Sequence, residues 1–286
     1  MVNYLKKRFF RIYPTYWIIL LTVYCIAFAT HTLPQAVPTE PSTWLKTLLL
    51  IPQDKSVVGG TGAPILIVAW TLQYEIVFYL LFSLFLLSKK YLVIAGTLLL
   101  FIFWNFCSQD TFAYKFLANN YILLFTMGVG VSAMSTSVRL IGNWPILFTF
   151  LGLMILCSVG LDNMTNFNLF NGKKTLLNGL ASCLIILGLV QAENNKKIYF
   201  NNEWVSICGD SSYALYLIHY PLIIFLCKLS LLIHLDSLGF IGAILCYFMT
   251  LYLCLITSCL FHQWIEKPIA SYFRHKYIKQ TSNVQS

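Results

Sequence analysis

Charge is what this sequence has least of. Only 10% of its 286 residues are Asp, Glu, Lys or Arg, and Asp plus Glu number just 10. Soluble domains carry about 25% charged residues, so the chain cannot cover a water-facing globule. An ordinary cytosolic enzyme, a disordered regulator and a secreted disulfide scaffold are thereby excluded. The 9 cysteines include no C-x-x-C pair, which leaves neither a zinc site nor a disulfide framework supported. Cys25, Cys107, Cys157 and Cys183 stand singly in apolar runs and read as small core-filling residues. Low-complexity tracts and fixed-period repeats are lacking too.

What the chain has instead is oil-compatible surface: 58% of its residues are hydrophobic and its mean hydropathy is +0.74. A spanning helix needs roughly 20 mainly apolar residues. Runs of that kind lie at 13–33, 64–87, 91–106, 119–137, 144–161, 175–191, 205–229 and 238–263. Residues 43–51 are apolar but too few to cross alone, and Pro52 and Gly59-Gly60-Thr61-Gly62 follow them. They predict a short re-entrant or interfacial helix. The expected fold is therefore all-α, a polytopic transmembrane bundle of about eight spans over residues 1–272, with a basic and polar cytoplasmic tail at 273–286.

The net charge of +9 would suggest nucleic acid in a soluble protein. Here the basic residues cluster at the ends of apolar runs, where they orient spans and touch anionic headgroups. Membrane lipids are the expected partner, and nucleic acid is not. With the N-terminus inside, eight crossings place Lys6, Lys7, Arg8, Arg11, Lys89, Lys90, Arg139, Lys196, Lys197, Lys267, Arg274, Lys276 and Lys279 in the cytoplasm, most of the 19 basic residues. A ninth crossing at 43–51 would put most of them outside. Both ends are thus expected in the cytoplasm. The basic start followed by Ala27-Phe28-Ala29 has the look of a secretory signal; the length of its apolar stretch and the seven later spans favour a retained helix.

Ionisable groups inside a span are costly and by default mark a site. Glu75 is the acidic residue that lies well inside an apolar run, about 16 Å along the helix from Pro64. Thr71, Glu75 and Tyr79 share one face at i, i+4 spacing, with Trp70 beside them. Glu75 could hold a proton, orient an imidazole or bind a hydroxyl; the bland reading is a carboxyl that fixes helix packing. A second polar stripe is Ser212, Tyr216 and His219, spaced i, i+4, i+7, next to Pro221, which frees the Leu217 carbonyl and favours a kink. A buried His beside a freed carbonyl can be a packing residue, and the residues alone leave both readings open. Asp210 reads as a cap at the start of that helix. Arg8 and Arg11 lie one turn apart in Lys6-Lys7-Arg8-Phe9-Phe10-Arg11; sequence physics favours a membrane anchor, although two guanidinium forks on one face can grip a phosphate. His262, Glu266 and Lys267 read as interface residues.

Taken together and in order, four segments resemble membrane acyltransferase family 3, the bacterial O-acyltransferases that modify surface glycans. They are Lys7-Arg8-Phe9-Phe10-Arg11-Ile12-Tyr13-Pro14, the stretch from Trp70 to Phe82, the stretch from Gly209 to Pro221, and Trp264-Ile265-Glu266-Lys267-Pro268. Thr71 stands where the family usually has Ser. The resemblance covers essentially the whole chain. It implies an enzyme of the bacterial inner membrane that moves an acyl group, usually acetyl, from cytoplasmic acyl-CoA to a hydroxyl of a glycan such as O-antigen, capsule or exopolysaccharide. Acyl-CoA would be a co-substrate, with no permanently bound cofactor and no metal. Arg8 and Arg11 would hold the CoA phosphates, which lifts that reading above the anchor. Glu75 and His219 would act as supporting catalytic groups in a pocket with Trp70, Thr71, Tyr79, Ser212 and Tyr216. The family core is similar to a ten-helix bundle whose first helix carries the main catalytic His. This chain starts at Met1-Val2-Asn3, so the resemblance implies a truncated domain lacking two helices and expected to be inactive in this form. The alternative of another class is a multi-span transporter or glycan flippase.

Overall fold

The computed structural model describes residues 2–30, 38, 40–85, 112–117, 119–165, 172–195 and 203–273. Every regular element among them is helical. In chain order these are α1 (Val2–Thr30), α2 (Pro41–Leu48), α3 (Lys55–Val58) and α4 (Trp70–Phe85), the last preceded by a 3-10 turn at Ile67–Ala69. Then come α5 (Phe112–Leu117), α6 (Asn120–Ser137), α7 (Trp144–Thr165) and α8 (Gly172–Asn194). The C-terminal part holds α9 (Glu203–Asp210), α10 (Ser212–Leu232), α11 (Gly239–Phe261), a π-helical turn at His262–Glu266 and α12 (Lys267–Phe273).

Among the described residues, five helical stretches are long and apolar enough to cross a membrane: Asn3–Ala29, Trp144–Thr165, Gly172–Asn194, Ser212–Leu232 and Gly239–Phe273. Ile67–Ser83 and Tyr121–Ser137 are shorter apolar helices. Each expected span has its helix except 91–106, which lies outside the described residues. The fold is an all-α membrane bundle. One boundary differs: α1 begins at Val2, so the Lys6–Arg11 cluster is wound into helix rather than preceding it. Lys and Arg are good helix formers, and the first breaker is Pro14, inside α1.

The chain forms two compact units, Met1–Thr97 with Asn202–Ser286, and Leu98–Asn201. In the second unit α8 packs against both α6 and α7. Glycine permits the α7–α8 approach: a Cβ on Gly188 would stand 2.5 Å from the Pro145 carbonyl oxygen, the small-residue device of membrane helix pairs. Gln191, 2% exposed, donates from Nε2 to the carbonyls of Ser135 and Val138 at 2.9 and 2.8 Å. That satisfies carbonyls left over where α6 ends.

The first unit has its core where α1, the 50–72 stretch and Leu217 of α10 meet; Ile12, Tyr16, Leu20, Leu50 and Leu66 are almost wholly buried there. The segment between α1 and α4 turns back into this core. Trp44 of α2 meets Tyr24 of α1 edge-on with ring centroids 4.9 Å apart, and just beyond the helix Leu49 lies against Tyr13. On α1 those two levels are about 16 Å apart. The chain from α2 to Leu49 therefore runs back along α1. Carbonyls at the end of a helix and just beyond it need partners, and α1 supplies them: the Tyr16 and Tyr13 hydroxyls donate to the Thr47 and Leu49 carbonyls at 2.7 and 2.8 Å, and Trp17 Nε1 to the Leu48 carbonyl at 2.9 Å. Gln73 of α4 closes the hook by donating to the Gly62 carbonyl at 3.0 Å.

Gly62 sits at φ +88°, and a Cβ there would lie 2.5 Å from the Gln53 carbonyl oxygen. Left-handed strain of about 1–2 kcal/mol adds to an overpacking cost of about 1–3 kcal/mol. Gly62→Ala is expected to lower the thermal unfolding midpoint of the detergent-solubilised protein by several degrees. An unchanged midpoint would mean that the hook relaxes without cost.

Candidate functional site

The site is built along one face of α4. Residues four apart on a helix stack above one another, which puts Thr71, Glu75 and Tyr79 in a line about 12 Å long. At one end the Tyr79 hydroxyl donates a hydrogen bond to Glu75 Oε1. Arg8 of α1 reaches the same hydroxyl, Nη1 to oxygen 3.4 Å. Its guanidinium also faces the Tyr79 and Tyr4 rings, 4.7 and 5.3 Å from the centroids. A cation held by two aromatic rings and next to a carboxylate-bound phenol is fixed in direction, worth about 0.5–2 kcal/mol for the ring contact. Arg8 and Tyr79 open onto a recess of about 490 Å³, which Lys6, Phe10 and Tyr13 also line.

At the other end Thr71 Oγ1 meets the Tyr216 hydroxyl of α10, and Tyr216 donates to the Val68 carbonyl at 2.8 Å. The Tyr216 and His219 rings are neighbours, with centroids 5.8 Å apart. His219 Nδ1 lies 3.1 Å from the Leu215 carbonyl oxygen. A carbonyl only accepts, so Nδ1 carries the proton and Nε2 is left as the acceptor of the neutral ring. Tyr213 of α10 donates to the Ile12 carbonyl of α1 at 3.0 Å. It lies within electrostatic reach of Glu75, Glu266 and Arg11.

Most of the residues singled out in the sequence are thus brought together. Arg8, Tyr79 and Glu75 form one string, Thr71, Tyr216 and His219 another, and α4 joins them. Trp70 begins α4, half-buried, edge-on to Tyr74 at 6.0 Å. Two residues stand apart. Ser212 is the first residue of α10 and is exposed, so the buried stripe starts at Tyr216. Arg11 is exposed and does not line the recess, although it lies within electrostatic reach of Tyr79; Lys6 supplies the recess's second cation. Asp210 caps nothing: it ends α9, and the Ser211 amide continues the turn to the Ile207 carbonyl at 2.9 Å. With α9 feeding straight into α10, no exposed helix start is left to cap. Pro221 leaves α10 continuous from Ser212 to Leu232.

One pair gains weight over its reading in the sequence. His262 Nδ1 and Glu266 Oε2 are 3.0 Å apart, with side chains only 16% and 12% exposed. The i, i+4 spacing was the available signal. Its context, near the end of the last span among Trp264 and Lys267, suggests an interface instead.

A helical membrane bundle that holds a half-buried line of arginine, phenol, carboxylate and imidazole carries ionisable groups of the kind that by default mark a site inside a membrane protein. A family model described as an acyltransferase domain matches residues 1–259. The chain belongs to acyltransferase family 3, and it is a membrane acyltransferase in that general sense. No curated protein and no solved structure matches it.

Proposed function

We propose that the protein is an O-acyltransferase of the bacterial inner membrane. It moves an acyl group, most simply acetyl, from cytoplasmic acyl-CoA to a hydroxyl of a cell-envelope glycan such as O-antigen, capsule or exopolysaccharide. The observation that carries this reading is the string from Arg8 through Tyr79 to Glu75, opening on a recess that also presents Lys6. The Arg8 guanidinium and the Lys6 ammonium among the recess-lining residues suit the phosphates of CoA, while Arg11, one turn on, is exposed outside the recess. Acyl-CoA is consumed as co-substrate.

In the reaction the glycan hydroxyl oxygen bonds to the thioester carbonyl carbon, the C–S bond breaks, and CoA leaves as a thiol bearing the proton the hydroxyl lost. The carbonyl oxygen carries negative charge on the way. Fixed donors aimed at that charge lower the barrier, and the Tyr79 and Tyr216 hydroxyls and the Thr71 hydroxyl are fixed dipoles along the line. Glu75, held at one oxygen by Tyr79, keeps its other oxygen for a substrate hydroxyl. His219 has Nε2 for the same purpose.

The test is transfer of label from radiolabelled acetyl-CoA to envelope glycan in membranes expressing the full reading frame. Alkali-labile label in the glycan fraction is expected. Glycan that crosses the membrane unmodified, with no label gained, would make the protein a transporter instead.

A further inference from the structure

Arg8 is a half-buried cation with no carboxylate in ion-pair contact among the described residues, whose ion pairs are Lys174–Asp162 and His262–Glu266. Its hydrogen bond there goes to the neutral Tyr79 hydroxyl. A guanidinium has five N–H donors, so most of them are left for a ligand. What holds the group in place is aromatic. Tyr4 lies one turn before Arg8 on α1, and the i, i+4 spacing sets its ring 5.3 Å from the guanidinium carbon. Tyr4 is itself seated on α4: its ring meets Tyr79 edge-on at 6.1 Å and Phe82 at 5.6 Å between centroids. Its hydroxyl makes no hydrogen bond among the described residues, so the ring is the part that acts.

The kind of partner matters for charge. A carboxylate would fix Arg8 equally well but neutralise it, and an arriving phosphate would have to displace that partner. The face of an aromatic ring attracts a cation through its quadrupole and leaves the charge whole. A carboxylate is close by, since the Tyr79 hydroxyl that accepts from Arg8 donates to Glu75 Oε1. Arg8 lines the recess, whereas Tyr4 does not: the ring backs the guanidinium and leaves the recess open. Released from Tyr4, the side chain would regain its rotamer freedom, with Glu75 as the nearest carboxylate along the string.

We propose that Tyr4 is a positioning residue of the donor site: its ring holds the Arg8 guanidinium at the recess, ordered and unneutralised, for a phosphate group. This rests on the acyl-CoA reading above. Binding of acetyl-CoA is therefore measured beside binding of inorganic pyrophosphate, which shares the linked phosphates and nothing else of the donor.

The experiment uses the full 286-residue chain, purified in detergent. Dissociation constants for both ligands and thermal midpoints are measured for the unchanged protein and for Tyr4→Leu, Tyr4→Met, Tyr4→Phe, Arg8→Ala and Tyr4→Leu with Arg8→Ala. Tyr4→Leu and Tyr4→Met remove the ring, and whichever keeps the midpoint decides the result. Each should weaken both ligands by about two- to thirtyfold, the worth of a cation–π contact read as affinity. Tyr4→Phe keeps the ring and should restore binding to within about twofold of the unchanged protein. In the Arg8→Ala background Tyr4→Leu should cost nothing more, because a residue that acts through Arg8 has nothing left to act on. Undiminished binding without the ring overturns the assignment and leaves the acyl-CoA reading intact. Equal losses in Tyr4→Phe and Tyr4→Leu overturn it too, and so does a further loss in the Arg8→Ala background, which is what general packing would give. If pyrophosphate shows the expected pattern while acetyl-CoA does not bind, the clamp stands and the acyl-CoA reading falls. If the unchanged chain binds neither ligand, both fall.

Discussion

Glu75→Gln should cut acyl transfer by on the order of 10²–10³-fold, the loss typical of removing one electrostatic group aimed at the reacting atoms. The substitution is nearly isosteric, and the Gln amide oxygen still accepts from the Tyr79 hydroxyl that now bonds Glu75. What disappears is the charge. Arg8 would keep its two aromatic rings but lose the nearest carboxylate along its string. Insertion and thermal midpoint should therefore stay near those of the unchanged protein, while turnover collapses. Parallel measurement of expression, midpoint and label transfer checks this. Normal turnover would assign Glu75 to packing.

Replacing Arg8 and Arg11 together by Ala should raise KM for acyl-CoA at least about tenfold, with a smaller effect on kcat. A charge-assisted contact to phosphate is worth more than about 1.5 kcal/mol, and each 1.4 kcal/mol is tenfold in affinity. The two residues separate cleanly by placement. Arg8 lines the recess and is clamped by Tyr4 and Tyr79, whereas Arg11 is exposed on the next turn. Arg8→Ala alone should account for most of the change, and it should be the less salt-sensitive contact because buried pairs are screened less. A fall in expression with KM unchanged would return both to a membrane anchor.

These expectations draw unequally on sequence and structure. The spans are legible because length and apolarity are local properties: the runs at 144–161 and 238–263 reappear as Trp144–Thr165 and Gly239–Phe261 with shifts of a few residues. The Thr71–Glu75–Tyr79 face is legible for a similar reason, since i, i+4 spacing fixes neighbours within one helix. Pairings between helices are not. Thr71 and Tyr216 are 145 residues apart, and no periodicity in either helix announces the other. The path of the 43–51 segment is equally hidden, because it depends on three aromatic donors of α1 that would read as ordinary span residues. Lys6 and Arg11 look interchangeable as basic residues near a helix start; the turn of α1 decides which one reaches the recess. For His262 and Glu266 the spacing is visible, but an i, i+4 pair near a membrane surface is common enough that only burial distinguishes it.

The hook between α1 and α4 bears on how the protein is made. An unmatched carbonyl in hydrocarbon costs several kcal/mol, so residues 47–49 cannot settle at depth until donors wait for them. Tyr13, Tyr16 and Trp17 belong to the helix that precedes this segment in the chain and so leave the ribosome before it. Gln73, which ties off Gly62, arrives only with the next helix. Biogenesis is thereby given a direction: α1 acts as a template, the segment behind it docks, and the helix carrying Glu75 latches the product.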